Sequence, residues 1–122
     1  MSDLAATVDT HLRAYCEPDP TTRADLMARV WSADGELMDP PFEGRGRDDI
    51  AGLVDVVLQH FPGHTFRRTS AVDSHHDRAR YEWELVAPGG TVSVSGTDFA
   101  EVDGEGKLTR VVGFFGPLAP TD

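Results

Sequence analysis

The chain has 122 residues and a single cysteine, Cys16, so we expect one domain over residues 1–122, without an intramolecular disulfide, in the reducing cytoplasm. Eleven Lys and Arg against 21 Asp and Glu give a net charge of −10, which argues against nucleic acid or an anionic membrane as the main partner. No apolar run is long enough to cross a membrane, and the N-terminal segment lacks the pattern of a signal peptide.

The first predicted helix runs from Ser2 or Asp3, either of which can cap it, to about Tyr15. Its apolar residues recur every three or four positions, which is the spacing of a single helical face. Tyr15 ends this apolar stripe, so its hydroxyl should point inward and need a hydrogen-bond partner. His11 is expected to face solvent.

A second helix is predicted to begin after Asp19, a capping residue that precedes Pro20. Its apolar stripe runs as far as Trp31, which is expected to be buried. Residues 32–35, a short polar segment with a glycine, are expected to close the helix.

Residues 36–39 form a short predicted strand that places Asp39 on the same face as an apolar residue. Pro40 and Pro41 should hold Asp39 in an extended conformation and prevent further ladder bonding. A glycine-containing turn then leads into the third helix, whose apolar stripe covers residues 50–61.

Strands are predicted where the hydrophobic period changes to two, over residues 65–75, 78–86, 91–102 and 107–115. Tyr81 and Trp83 alternate with charged residues, which is typical of an antiparallel sheet with one solvated face. Helices first and a strand meander second predict an α+β domain. We expect a cone-shaped, curved antiparallel or mixed sheet that packs against three N-terminal helices and encloses a pocket.

Asp98 lies on the apolar face of the strand at 91–102, among valine, glycine and alanine residues. An ionised carboxylate on a core face is unfavourable unless it is paired, hydrated or protonated. Two interpretations stay open. Asp98 is either a structural acid that caps backbone or pairs with an arginine, or an acid on the wall of an apolar pocket whose raised pKa lets it donate a hydrogen bond.

A pocket between the sheet and the helices would suit a small hydrophobic molecule. Its predicted inward residues are Tyr15, Trp31, Asp39, Val54, Tyr81, Trp83, Asp98 and Phe115. Proton abstraction next to a carbonyl needs a base near the C–H bond and donors at the developing enolate oxygen. Asp39 can serve as the base, and Tyr15 and a protonated Asp98 can serve as the donors.

The remaining reactive residues form no such group. His75 and His76 are adjacent on an extended segment and face opposite sides, so no metal site is predicted. Cys16 has no histidine partner in sequence reach and is not expected to be a nucleophile. His64 is a candidate for the pocket rim. The sequence contains neither a phosphate loop nor a dinucleotide fingerprint, and no cofactor is predicted.

The succession RVWSADGELMDPPFEGRGRDDI, YEWEL and GTDFAEVDGEGKLTRVVGFF resembles the ketosteroid isomerase and SnoaL-like polyketide cyclase branch of the nuclear transport factor 2-like superfamily. The resemblance covers nearly the whole chain and is carried by pattern more than by one unique motif. It implies a cone-shaped α+β fold with a deep pocket, and a homodimer that forms through the outer face of the sheet.

The resemblance also implies roles for single residues. Asp39 falls on the general base of the isomerases, and Tyr15 and Asp98 fall on the two donors of their oxyanion hole. That an apolar site keeps one carboxylic acid neutral is established chemistry of those isomerases. Positions that line their steroid pocket correspond to Trp31, Tyr81, Trp83 and Phe115, while Val54 stands in place of a tyrosine that supports the oxyanion-hole tyrosine.

The predicted function is therefore that of a cofactor-independent isomerase or cyclase, which acts through an enolate on a small hydrophobic carbonyl compound that resembles a steroid or a polyketide. In cyclases of this kind an inward aspartate is both acid and base in an aldol ring closure, a role that suits the position of Asp98. Two alternatives remain: a non-catalytic module that binds a small molecule, and an association domain with a vestigial pocket. An arginine between the acids would instead indicate an epoxide-hydrolase-like site.

Overall fold

A computed structural model describes residues 3–121 and contains three helices and seven strands. The helices are α1 (Leu4–Ala14), α2 (Pro20–Val30) and α3 (Arg47–His60). The strands are β1 (Trp31–Asp39), β2 (Phe42–Arg45), β3 (Thr65–Arg68), β4 (Asp73–His75), β5 (Arg78–Val86), β6 (Val92–Val102) and β7 (Leu108–Phe115). The α+β fold predicted from the sequence is confirmed.

The strands form one mixed sheet in the order β2-β1-β7-β6-β5-β3, and β4 also pairs with β5. All pairings are antiparallel except that between β1 and β7, which is parallel. Register shifts interrupt the ladders of β1 with β7, of β5 with β6 and of β6 with β7. Such irregularities bend strands, which is how a sheet curls around helices packed on one face.

Local chemistry sets the starts of α1 and α2 as the sequence predicts. The carboxylate of Asp3 accepts a hydrogen bond from the backbone N–H of Ala6 at 3.2 Å, and that of Asp19 accepts one from Thr22 at 3.0 Å. Each bond satisfies one of the N–H groups that a helix leaves unpaired in its first turn. Pro20 is the first residue of α2, where its missing N–H does no harm.

Three boundaries differ from those predicted. Trp31 is not the last residue of a helical stripe, because α2 ends at Val30 and β1 runs from Trp31 through the expected loop at 32–35. The ladder with β7 pairs Trp31 with Leu108 and resumes at Glu36 with Arg110, so residues 32–35 form an irregularity within β1. Gly35 makes room for the indole, since a Cβ there would lie 2.3 Å from Cε3 of Trp31.

The other two differences concern a hairpin and a divided strand. Pro40 and Pro41 turn the chain without ending the ladder, because β2 folds back on β1 with Asp39 opposite Phe42. The strand expected over 65–75 is divided into β3 and β4. At the break, the Ser70 hydroxyl accepts a hydrogen bond from the backbone N–H of Glu82 at 2.8 Å, so a side chain replaces one ladder bond.

The core lies between the helices and the concave face of the sheet. Its largest fully buried side chains include Met27, Trp31, Ile50, Val54 and Leu108. Of the helices within residues 3–121, none has the length and apolar character needed to cross a membrane. The helices and the curved sheet leave one side of this core open as a cavity.

Candidate active site

A cavity of about 430 Å³ lies between the concave face of the sheet and helices α1 and α3. Its walls are mainly apolar and aromatic, formed by Leu12, Phe42, Val57, Phe61, Phe66, Trp83, Leu85, Val94 and Phe115. Five side chains bring polar groups to these walls, namely His11, Tyr15, Asp39, His60 and Asp98. An apolar hollow with a few polar groups is the usual form of a small-molecule site.

The two acids flank a glycine on the wall formed by the sheet. Asp98 on β6 is directly opposite Gly113 on β7, and Asp39 ends the neighbouring strand β1. A Cβ atom at Gly113 would lie 2.8 Å from Oδ1 of Asp98 and 3.2 Å from Cβ of Asp39. The absence of a side chain at Gly113 therefore leaves the space between the two acids open.

Asp98 is buried, with 6% of its surface exposed, and both of its oxygens accept hydrogen bonds. The Tyr81 hydroxyl donates to Oδ2 at 2.8 Å, and Nε1–H of Trp83 donates to Oδ1 at 2.9 Å. Burial raises the pKa of Asp98 to about 6, the two donors oppose the rise, and the charge of Asp39 adds to it. The interpretation of Asp98 as an acid that caps backbone or pairs with an arginine is thus wrong, because the hydrogen-bond partners of Asp98 are a phenol and an indole.

Asp39 is only partly buried at the end of β1 and lines the same cavity. Its Oδ1 accepts a hydrogen bond from the backbone N–H of Phe42 at 3.2 Å, across the turn made by the two prolines. Burial raises the pKa of Asp39 to about 6, against the opposing effect of that hydrogen bond. This carboxyl has fewer protein partners than Asp98 and is the more accessible of the two.

Tyr15 follows the last residue of α1 and carries the third predicted group. Within residues 3–121, its hydroxyl is the one occluded side-chain N or O atom without a hydrogen-bond partner. Burial raises the pKa of Tyr15 well above its usual value, and the charges of Asp39 and Asp98 raise it further. The phenol is therefore neutral and lies within the electrostatic field of both acids.

His11, expected to face solvent, is instead buried, with 1% of its surface exposed. Its ring packs edge-on against Trp31 at a centroid distance of 5.4 Å, and Nδ1 accepts a hydrogen bond from Nε1–H of Trp31 at 3.2 Å. Burial lowers the pKa of His11 to about 4, so the ring is neutral at physiological pH. Its spacing of four residues from Tyr15 was the sequence signal that it shares the inward face of α1.

Of the residues expected to line the pocket, Trp83 and Phe115 do so, together with Tyr15, Asp39 and Asp98. Trp31 and Val54 belong to the solid core beside the cavity and have no exposed surface. Tyr81 faces inward but is buried outside the cavity lining, and its hydroxyl donates a hydrogen bond to Asp98. The sequence interpretation overlooked Phe61 and Phe66 as lining residues, because their placement depends on how α3 and β3 close over the sheet.

Several rival arrangements lack support within residues 3–121. No arginine lines the cavity, and no cluster of His, Cys, Asp and Glu suits a metal ion. His64 lies outside the lining and bonds Ser93 through Nε2 at 2.8 Å. The two tryptophans do not fill the cavity by packing together, since Trp31 contacts His11 and Trp83 contacts Phe66 and Phe115.

A curved sheet that presents two acids to an apolar cavity under three helices defines a class of small α+β proteins. The family profile described as the SnoaL-like domain matches residues 8–111, and the chain belongs to this family. No curated protein matches the sequence significantly.

Solved structures agree with this assignment. A proposed isomerase of the SnoaL-like family from Agrobacterium tumefaciens shares 31% sequence identity and a TM-score of 0.87, over 96% of this chain and all of the other. A proposed SnoaL-like polyketide cyclase from Jannaschia shares 15% identity and a TM-score of 0.67, over 94% of this chain and 89% of the other.

A de novo designed protein with a curved β-sheet reaches a TM-score of 0.70 at 18% identity, over 96% of this chain and 89% of the designed one. At such identities the likeness concerns the fold alone. Because a designed scaffold matches about as well as a natural relative, the fold does not specify a reaction. The function must be argued from the side chains of the cavity.

Proposed function

We propose that the protein is a cofactor-independent isomerase or cyclase that acts through an enolate on a small hydrophobic carbonyl compound. The observation that carries the proposal is the pair of acids on one wall of an apolar cavity, separated by Gly113 and both with pKa values raised to about 6. Such pairs of perturbed acids in a cavity are typical of acid–base sites. The proposed isomerase of the SnoaL-like family from Agrobacterium tumefaciens, at 31% identity, supports an isomerase by family membership.

Asp39 is the proposed base, because its carboxylate is the more accessible of the two and has fewer protein donors. It removes the proton from the carbon next to the carbonyl, and the electron pair of that C–H bond forms the enolate C=C bond as charge moves to oxygen. In an isomerisation Asp39 returns the proton to a different carbon. In a cyclisation the enolate carbon attacks a second carbonyl, whose oxygen then takes up a proton.

Asp98 and Tyr15 are the proposed donors to the enolate oxygen. Near pH 6, where the two acids together hold about one proton, that proton should rest on Asp98, which is more deeply buried and whose pKa the charge of Asp39 raises. Tyr15 is neutral and its hydroxyl lacks a partner among the described residues, so a ligand oxygen there would satisfy it. Donors aimed at a developing oxyanion in a dry site are an effective form of catalysis.

The cavity volume and lining suggest the substrate class. A volume of about 430 Å³ lies within the range of small-molecule pockets, roughly 300–1,000 Å³. The aromatic side chains in the lining, among them Phe61, Phe66 and Trp83, favour a flat, apolar body. A fused-ring ketone related to steroids or aromatic polyketides fits these requirements.

A non-catalytic binding module remains the second candidate, and one observation favours it. Tyr81 and Trp83 both donate to Asp98 and so favour its ionised form, which cannot donate to an oxyanion. If that effect prevailed at neutral pH, the cavity would hold an apolar ligand without turnover. The two candidates differ in whether loss of the Asp39 carboxylate changes a rate.

The first test replaces Asp39 with asparagine and follows the conversion of a β,γ-unsaturated cyclic ketone to its conjugated isomer by ultraviolet absorbance. We expect Asp39→Asn to slow the reaction by about 10²–10⁴-fold, because a positioned base contributes that much. Asp34→Asn is the matched control, since Asp34 is an exposed acid of the same strand. Equal rates in the two variants would rule out Asp39 as the base.

We further propose that two copies of the chain associate through the outer face of the sheet. Phe99 and Phe114 project from this face with 47% and 56% of their surfaces exposed, and their rings meet edge-on at 6.0 Å. Burying neighbouring aromatic rings is a common source of interface energy. The net charge of −10 argues against nucleic acid as a partner for this face.

A further inference from the structure

His11 is a polar residue of the cavity for which the proposed reaction has no role. It lies on α1 one turn before Tyr15, with only 1% of its surface exposed, and it lines the cavity. Buried histidines normally satisfy both ring nitrogens. Within residues 3–121 this ring makes one hydrogen bond, the one from Trp31 to Nδ1, while Nε2 makes none and is not fully occluded.

That hydrogen bond determines which ring nitrogen carries the proton. An indole N–H can only donate, so Nδ1 of His11, at 3.2 Å from Nε1 of Trp31, must accept. Burial keeps the ring neutral, and a neutral imidazole carries a single proton. The proton is therefore on Nε2, and His11 presents an N–H donor, without a charge, at the helical wall of the cavity.

His11 lies on the helical wall of the cavity, on α1, whereas Asp39 and Asp98 lie on the sheet wall, on β1 and β6. The charges of Asp39 and Asp98 act on Tyr15, whereas burial alone accounts for the shifted pKa of His11. A nearby carboxylate would favour the charged imidazolium and raise that pKa. Tyr15 lies one turn further along α1, and its ring centroid is 5.7 Å from that of His11, so one ligand can contact both side chains.

We propose that His11 is a specificity-determining residue whose Nε2–H donates a hydrogen bond to a second oxygen of the ligand, distinct from the reacting carbonyl. The placement of the carbonyl rests on the proposed function above. The ligand is then bifunctional: an apolar ring system with a carbonyl at the acid end and an ether, carbonyl or hydroxyl oxygen at the helical end. A hydrocarbon at the helical end would bury the N–H without a partner, which is unfavourable.

Two naphthols of nearly equal shape test this contact. In 6-methoxy-2-naphthol the second substituent carries an ether oxygen, which can only accept a hydrogen bond, and in 6-ethyl-2-naphthol a methylene replaces that oxygen. Their dissociation constants are measured by the change in naphthol fluorescence. We expect the wild-type protein to prefer the methoxy compound by about 3- to 10-fold more than His11→Leu does, which is the value of one ordinary hydrogen bond.

Two further variants separate a direct contact from a packing effect. His11→Gln retains an N–H donor and should recover part of the methoxy preference. Trp31→Phe removes the donor that fixes the tautomer, so it should weaken the preference while the binding of the ethyl compound changes less. An identical preference in the wild type and His11→Leu would overturn the proposal, and so would a wild-type protein that binds neither naphthol.

A measurement on the wild-type protein avoids any variant that folds poorly. Nitrogen-15 NMR of the histidine rings should show the proton of His11 on Nε2, with a shift in that resonance on addition of the methoxy compound and little change with the ethyl compound. A proton on Nδ1 would overturn the proposal. None of these readouts requires turnover, so they remain decisive if Asp39→Asn shows that the proposed reaction is wrong.

Discussion

At the scale of single residues, the pKa of Asp98 reflects a competition between burial and hydrogen bonding. Removal from water favours the neutral acid, and so does the charge of Asp39, whereas the donors Tyr81 and Trp83 favour the anion. Burial prevails, and the pKa of Asp98 lies at about 6, compared with about 3.9 in an unfolded chain. Folding is therefore coupled to the protonation of this residue.

This coupling predicts how stability depends on pH. Because the folded-state pKa is raised, the stabilisation from protonated Asp98 is complete below about pH 4 and is lost as the pH rises through about 6. Relative to Asp98→Asn, which cannot ionise, the wild type should lose on the order of 2–3 kcal/mol of unfolding free energy between pH 4 and pH 7.5. Urea unfolding at the two pH values measures the difference.

The comparison with the asparagine variant is needed because the titration of His11 changes the unfolding free energy in the opposite direction with pH. Its pKa is lowered to about 4 by burial, whereas the ring of the unfolded chain takes up a proton below about pH 6.5. The fold therefore loses stability as the pH falls from about 6.5 to about 4. His11 and Asp39 titrate in both proteins, and the difference between the two proteins isolates Asp98. If that difference were constant from pH 4 to pH 7.5, Asp98 would have an ordinary pKa and could not serve as a neutral donor.

At the scale of secondary structure, the parallel pairing of β1 with β7 brings the acids together. It places the end of β1, with Asp39, beside Gly113, whose other neighbour is Asp98 on β6. Both carboxyls then reach the concave side with no side chain between them. The wall that carries the two acids is thus formed by three strands and by Gly113 between them.

Gly113→Ala should close the space between the acids. The new Cβ would lie 2.8 Å from Oδ1 of Asp98, which Trp83 holds in place, so we expect a loss of about 1–3 kcal/mol in unfolding free energy and weaker binding of 2-naphthol. Gly52→Ala is the control, because nothing lies within 4 Å of a Cβ there and alanine favours the helix interior by about 1 kcal/mol. Undiminished naphthol binding by Gly113→Ala would contradict this account.

At the scale of the whole molecule, the two faces of the sheet have different roles. The concave face forms the core and the cavity, and the outer face carries ion pairs such as Arg67–Glu84 and Arg110–Glu101 around the exposed Phe99 and Phe114. An aromatic patch within a charged surface is typical of an association site.

The proposed homodimer can be tested with a charge placed in that patch. Phe114→Glu should shift the protein from dimer to monomer in sedimentation velocity experiments, because a carboxylate buried at an interface is unfavourable. Thr21→Glu makes the same change of charge at an exposed position of α2 and should leave the dimer intact. A wild-type protein that sediments as a monomer at all concentrations would refute the dimer, without bearing on the cavity.

The sequence by itself determined what short-range patterns encode. Alternation in β5 and β6 assigned the inward face and placed Asp98 on it, and Asp19 with Pro20 marked the start of α2. Each of these features depends on neighbours a few residues away, so a helical or strand period is enough to reveal it.

Only the tertiary structure decided which distant residues meet. Trp31 is a strand residue because it pairs with Leu108 in β7, and its indole N–H donates a hydrogen bond to His11, which we had expected to face solvent. The convergence of Asp39 and Asp98 around Gly113 likewise depends on strand order and register. Such pairings join segments far apart in the chain, and no local periodicity specifies them.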